Sequence, residues 1–264
     1  MVYKKKPKRF RVIIWFILTI SLCLMLVSGY KIWKIRQIYQ EGDDSYQGLA
    51  LLARPDGPVK LISAPNGISP DTAAPGLWIP AMNIDFSALK TINANIAAWL
   101  FSPDTVIDYP IVWADDYDYY LHHLPDGTYN NNGTLFIDYN CAADFSDALT
   151  VIYGHKMKSG KMFGSISNYK KQAYYDEHPY MYLYSEHGNY RVDLLYGCII
   201  GAGEWRDRAF MYQVNVESLL TYASSHTTFI SPVRYSTGDQ VIALSTCSYE
   251  FDDARYVVIG LLRQ

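Results

Sequence analysis

Nineteen consecutive residues without a charge, Val12 to Tyr30, constrain this chain more than any other feature. The run is rich in Ile, Leu, Val, Phe and Trp, and as a helix it is about long enough to cross a ~30 Å hydrocarbon core. Lys4, Lys5, Lys6, Lys8, Arg9 and Arg11 precede it, and Lys31, Lys34 and Arg36 follow at once. A cleaved signal peptide is the competing reading, with Val27-Ser28-Gly29 as a small-residue cleavage site. The apolar stretch exceeds the roughly 7–15 residues of a signal h-region, and the trailing cations suit an interfacial anchor. The expectation is therefore an uncleaved single-pass anchor. Six cations before the run against three after it put the N-terminus in the cytoplasm and the rest outside the cell.

The charge is split as sharply as the hydropathy. Nine of the 23 Lys/Arg and none of the 26 Asp/Glu lie in residues 1–40, so the remainder carries 14 basic against 26 acidic residues, a net of −12. A body this acidic lacks the basic face that nucleic acid requires, and that class of partner is excluded.

Beyond the anchor, Ile32, Ile35, Ile38 and Tyr39 are spaced for one face of a helix over 31–53. Prolines with Gly, Ser and Asn between Pro55 and Pro80 read as an extended linker. From about Leu77 onward, short apolar or alternating runs alternate with turn signals: Val106–Trp113, Gly133–Asp138, Leu149–Tyr153, Met181–Tyr184, Tyr190–Ile200, Gln240–Thr246 and Tyr256–Leu262. Their β-branched and aromatic content predicts a mainly antiparallel β domain, a barrel or a sandwich. Helical patches interrupt it at Asp85–Ile92, Ser165–Lys170 and Val216–Ser224. The expected division is a basic tail over 1–11, an anchor over 12–30, a helical and Pro-rich linker over 31–76 and a β domain over 77–264.

Four cysteines are present, one of them (Cys23) inside the apolar run. The three outside, Cys141, Cys198 and Cys247, cannot all pair, so at least one thiol is left over. Cys247 ends the alternating strand Val241–Thr246, where a side chain can face a groove. A thiol becomes a useful nucleophile only beside a cation or base. Arg255 opens the final strand eight residues on, and in adjacent antiparallel strands the two would face each other. Its guanidinium would stabilise an anion through fixed charge and forked donors. No His follows Cys247, so a base must come from upstream. His155, at the end of Val151-Ile152-Tyr153-Gly154-His155, mirrors the strand-end location of Cys247. His122, His123, His178, His187 and His226 lie in polar stretches or turns and read as surface or structural residues. Asp115, Asp116 and Asp118 lack the spaced oxygen set of a calcium loop and read as a solvated acidic turn. Asn132-Gly133-Thr134 matches a glycosylation sequon by chance in a turn. No metal or cofactor site is expected.

Leu244-Ser245-Thr246-Cys247 followed by Arg255 resembles the signature of sortases, the membrane-anchored transpeptidases of Gram-positive surfaces. Tyr153-Gly154-His155-Lys156-Met157 with Met162-Phe163-Gly164 is similar to the class B histidine region. Ile84-Asp85-Phe86, Ile107-Asp108-Tyr109-Pro110, Tyr119-Tyr120-Leu121 and Phe136-Ile137-Asp138-Tyr139 add matches in continuous order to the C-terminus. The resemblance implies a closed eight-stranded β-barrel with N-terminal helices and a helix before the Cys strand. It implies Cys247 as nucleophile, His155 as general acid/base and Arg255 as transition-state stabiliser. Ser245, Thr246 and Tyr153 would line the peptide groove, the Ser248 N–H would serve the oxyanion, and Asp108 would lie near the groove. The implied substrates are surface proteins bearing a C-terminal sorting pentapeptide (NPxTG- or NPxTN-like), cut after Thr, and an amine of a peptidoglycan precursor. Lys156 stands where relatives often have Asn, and Ala98 where they often have Gly; both leave the chemistry untouched. A papain-like hydrolase places its Cys before its His, against the order here. A pilin-linking enzyme with a Lys acceptor, and a tethered binding module without chemistry, remain alternatives.

Overall fold

The computed structural model describes residues 8–55, 57, 79–205 and 215–264. Most of the Pro-rich linker expected before Pro80 lies outside them. The chain divides into two compact units, one ending at Asp44 and one running from Ser45 to Gln264.

In the first unit the anchor and the helix expected after it are one element, α1 (Lys8–Ala53). Its apolar stretch is long enough to cross a membrane, and the side chains from Val12 through Gln37 are exposed. Ile32 and Ile35, spaced for one face of this helix, are exposed as well. Spacing marks an apolar stripe without showing whether anything covers it.

In the second unit the end of α1 buries Tyr46, Leu49 and Ala53. Eight strands follow: β1 (Ile96–Phe101), β2 (Asp108–Trp113), β3 (Leu135–Ile137), β4 (Leu149–Tyr153), β5 (Tyr180–Ser185), β6 (Gly188–Gly201), β7 (Val241–Cys247) and β8 (Ala254–Arg263). They close into a barrel in the order β1-β2-β3-β4-β7-β8-β6-β5. Closure pairs both edges of every strand, which removes the exposed ladders that invite aggregation. Seven strands fall on the expected runs. The eighth, β1, was missed because Ile-Ala-Ala-Trp-Leu-Phe has no polar alternation: Ile96, Ala98, Trp99 and Leu100 are all buried.

The helices decorate the barrel for local reasons. Asp85 caps α2 (Phe86–Ile92) by accepting from the Ala88 N–H at 2.9 Å. The patch at Ser165–Lys170 is a 3₁₀ helix, followed by α3 (Gln172–Glu177). Asn215 caps α4 (Val216–Ser225), which turns Val216, Leu219, Leu220 and Ala223 inward just before the Cys strand. In the acidic turn, Asp116 accepts from the N–H groups of Asp118 and Tyr119, an ordinary turn-capping role. Asn132 and Thr134 of the chance sequon are both buried.

The topology around β7 places the site. On one side β7 runs parallel to β4, with Tyr153 opposite Ser245. On the other it is antiparallel to β8, with Cys247 opposite Arg255. The strand that ends in Cys247 is thus flanked by the strands that end in the His region and begin with the Arg region.

Candidate active site

β4 ends at Tyr153, but the register with β7 continues for one step. The Gly154 N–H donates to the Ser245 carbonyl at 3.1 Å, and the Thr246 hydroxyl donates to the Gly154 carbonyl at 2.7 Å. His155 and Cys247 are each two residues past the paired Tyr153 and Ser245, so the parallel ladder delivers both to the same end of the barrel. Glycine at 154 is dictated by packing, since a Cβ there would lie 2.4 Å from Leu135 Cδ2 and 2.6 Å from the Phe163 ring. The His155 carbonyl accepts from the Phe163 N–H at 3.0 Å, which fastens the strand end to the following loop.

A cavity of about 370 Å³ opens at this end, lined among others by Cys247, His155, Arg255, Ser245, Thr246 and Tyr153. Six of the eight residues expected from sequence therefore converge on it. Asp108 and Ser248 are not among its lining residues. The Asp108 carboxylate instead receives two bonds from Arg54, at 2.9 and 2.7 Å, and one from the Trp99 indole at 2.6 Å. This assembly ties the end of α1 to β1 and β2. The Ser248 N–H, expected at an oxyanion, donates to the Ala254 carbonyl at 2.7 Å because the β7–β8 ladder runs one step past Cys247.

His155 is held through a carbonyl. Its Nε2 lies 2.7 Å from the Leu121 oxygen, an acceptor only, so Nε2 carries the proton and Nδ1 is left with the free lone pair. Burial pushes the imidazole below its ordinary pKa of 6.5; the Leu121 bond opposes this shift and the nearby His122 adds to it. The neutral ring is consequently favoured at neutral pH. Gly133, at φ +60°, makes this arrangement possible. A Cβ on it would meet the Leu121 oxygen at 2.8 Å and His155 Cδ2 at 2.9 Å.

Arg255 donates through Nη1 to the Ala254 carbonyl at 3.2 Å, and no carboxylate among the described residues pairs with it. An unneutralised guanidinium beside a thiol is suited to hold developing negative charge.

Two lysines bracket the residues after the thiol. Lys170 donates to the Ser248 hydroxyl at 2.7 Å and pairs with Glu250, which also accepts from Ser248. Burial pushes the Glu250 carboxyl up, but the bonds from Lys170 and Ser248 outweigh it and hold the group at about 2. Lys156 places its ammonium 4.6 Å from the centroid of the Tyr249 ring. Behind the cavity, buried Asp138 accepts from the hydroxyls of Tyr117 at 3.0 Å and Tyr153 at 2.9 Å, and from Asn140. Burial, followed by the Asp138 charge, raises the pKa of both tyrosines, so both stay protonated and donating. Leu121, Gly133 and Asp138 lie within stretches singled out in the sequence but were given no role at the site. Trp205 carried no sequence signal.

No protein-family model matches the sequence. Sortase B of Listeria monocytogenes is 33% identical over 178 residues, covering 66% of this chain and 72% of that protein. The crystal structure of Clostridium perfringens sortase B superposes with a TM-score of 0.62 at 26% identity, covering 68% of this chain and all of that one. Spy0129 of Streptococcus pyogenes, a class B sortase involved in pilus biogenesis, superposes with a TM-score of 0.61 at 25% identity, covering 68% of this chain and 98% of that one. The closed eight-stranded barrel and the likeness to these class B sortases together define a sortase-type transpeptidase. The chain belongs to the class B sortases.

Proposed function

We propose that the chain is a cysteine transpeptidase that cuts an NPxTG- or NPxTN-like sorting signal after Thr and transfers the protein to a cell-wall amine. The observation that carries this reading is the meeting of Cys247, His155 and Arg255 at one cavity, from three neighbouring strands.

The thiol proton of Cys247 passes to Nδ1 of His155, and the sulfur attacks the Thr carbonyl carbon. The oxygen becomes an oxyanion, and Arg255 supplies its donors, because the Ser248 N–H is already bonded to Ala254. Collapse breaks the C–N bond, and the proton on His155 goes to the departing amine. A thioester on Cys247 remains. The acceptor amine attacks it, His155 takes the surplus proton, the amide forms and the thiol returns. Ser245, Thr246 and Tyr153 shape the groove for the acyl donor.

The excess of cations before Val12 supports an N-terminus in the cytoplasm and a barrel on the outer face. A second acceptor, a pilin lysine, is favoured by the likeness to Spy0129 alone.

The test is incubation of the full chain in detergent with peptides of this pattern and either a peptidoglycan-type amine or a lysine peptide. A mass shift for the thioester on Cys247, then an amide product absent in Cys247→Ala and His155→Ala, is expected. Absence of both species across the peptide panel overturns the reading.

A further inference from the structure

Several polar groups on the residues that line the cavity are already bonded, and two are not. The Thr246 hydroxyl is spent on the Gly154 carbonyl, the Tyr117 and Tyr153 hydroxyls on Asp138, and His155 Nε2 on Leu121. Two others are buried and have no hydrogen-bond partner among the described residues: Ser245 Oγ and Trp205 Nε1. Both residues line the same cavity, at 1% and 2% exposure. A buried donor without an acceptor costs free energy, so an orphan facing a cleft marks a place where an absent molecule completes the bond.

Location narrows the ligand. Ser245 precedes Cys247 by two residues and shares its face of β7. Trp205 belongs to the helical turn at 202–205 that follows β6, whose last residues, Ile200 and Gly201, pair with Arg255 and Ala254. Ser245 thus sits beside Cys247 on β7, and Trp205 beside the end of β6 that pairs with Arg255. An indole N–H donates and never accepts, so its partner must offer an oxygen lone pair. An extended peptide presents a carbonyl at every residue whatever its side chains are.

The geometry points to Trp205 as a further substrate-positioning residue, whose Nε1–H donates to a main-chain carbonyl of the acyl-donor peptide while Ser245 takes a second polar group of the same strand. This inference rests on the acyl-donor reading above.

The test uses the full chain in detergent and the pentapeptide turned over fastest in the preceding assay. Trp205→Phe keeps the ring and removes the donor, and KM should rise about tenfold with kcat nearly unchanged, the cost of one lost hydrogen bond. Replacing the peptide's amides one at a time by esters weakens one carbonyl acceptor each time. One ester should raise KM for the wild type and have no effect in Trp205→Phe. An independent readout leaves the ring intact: in ¹⁵N-tryptophan-labelled Cys247→Ala, the Trp205 indole proton should move downfield when the peptide binds, assigned by changing one tryptophan at a time. Wild-type turnover with an unmoved indole resonance, or an ester effect that survives in Trp205→Phe, overturns the role of Trp205 and leaves the transpeptidase reading standing. A wild type that turns over no peptide overturns both.

Discussion

His155 Nε2 and the Leu121 carbonyl oxygen are 2.7 Å apart, and this one bond decides which imidazole nitrogen can accept a proton. The carbonyl cannot donate, so Nδ1 is the basic atom. Burial of the ring adds to the effect by favouring its neutral form.

The imidazole of His155 should titrate below 6.5 when followed by NMR in Cys247→Ala. His122→Gln should shift the midpoint upward, because the His122 ring, 6.2 Å away between centroids, opposes a second positive charge. The sign for stability follows from the same depression. The unfolded chain takes up this proton at higher pH than the folded one, so the contribution is complete above 6.5 and is lost as pH falls through the lower folded value. A midpoint at or above 6.5 would contradict the buried, neutral ring.

Gly133→Ala should lower both activity and stability. The new Cβ has to displace the Leu121 carbonyl or the His155 ring, and alanine is strained at φ +60°. A left-handed non-glycine residue and overpacking cost about 1–3 kcal/mol each. Gly160→Ala, at φ +80° with nothing within 4 Å, is the control that carries the backbone cost alone. Thermal melts and peptide turnover should separate the two variants, with a loss of turnover beyond tenfold only for Gly133→Ala.

The Arg54–Asp108 pair predicts a loss of stability without a specific loss of catalysis. Breaking a buried ion pair costs about 3–5 kcal/mol, and the partial exposure of Asp108 reduces this to about 2–3 kcal/mol. Arg54→Ala should lower the denaturation midpoint accordingly, with kcat/KM of the folded fraction within about twofold of wild type. Asp108→Asn should behave the same way, more weakly. A large rise in KM for Asp108→Asn would return that residue to the peptide groove.

Lys170→Met should release Glu250 from about 2 toward its ordinary value near 4.5, visible in a carboxyl titration. The depressed value means that the stability contributed by the pair is present above 4.5 and is lost as pH falls through about 2. Glu250 is over a third exposed, so that contribution is below ~1 kcal/mol. The larger effect should be a several-fold fall in kcat/KM, since Ser248 and Glu250 fix the turn that follows Cys247.

Much of this was legible in the chain because strand ends have a signature. Short apolar or alternating runs identified β4 and β7, and Gly154 before His155 and Ser245-Thr246 before Cys247 marked the strand ends. The pairing of Asp108 was not legible for a physical reason: its partner Arg54 is 54 residues upstream, and no local periodicity marks a pairing of that range. The fate of the Ser248 N–H depended on whether the β7–β8 ladder stops at Cys247 or one residue later, a boundary that sequence does not resolve. Trp205 is a lone indole in a turn, and only its burial without a partner gives it meaning.

Because the barrel is closed and β7 is bonded to β4 and β8 at once, Cys247, His155 and Arg255 have no independent register. A one-residue slip of β7 would send Cys247 to the opposite face and break two ladders together. The proposed activity is therefore tied to intact barrel closure. In denaturant, turnover and the far-ultraviolet β signal should vanish at one midpoint, which makes the rate of peptide cleavage a gauge of how much of the population is folded.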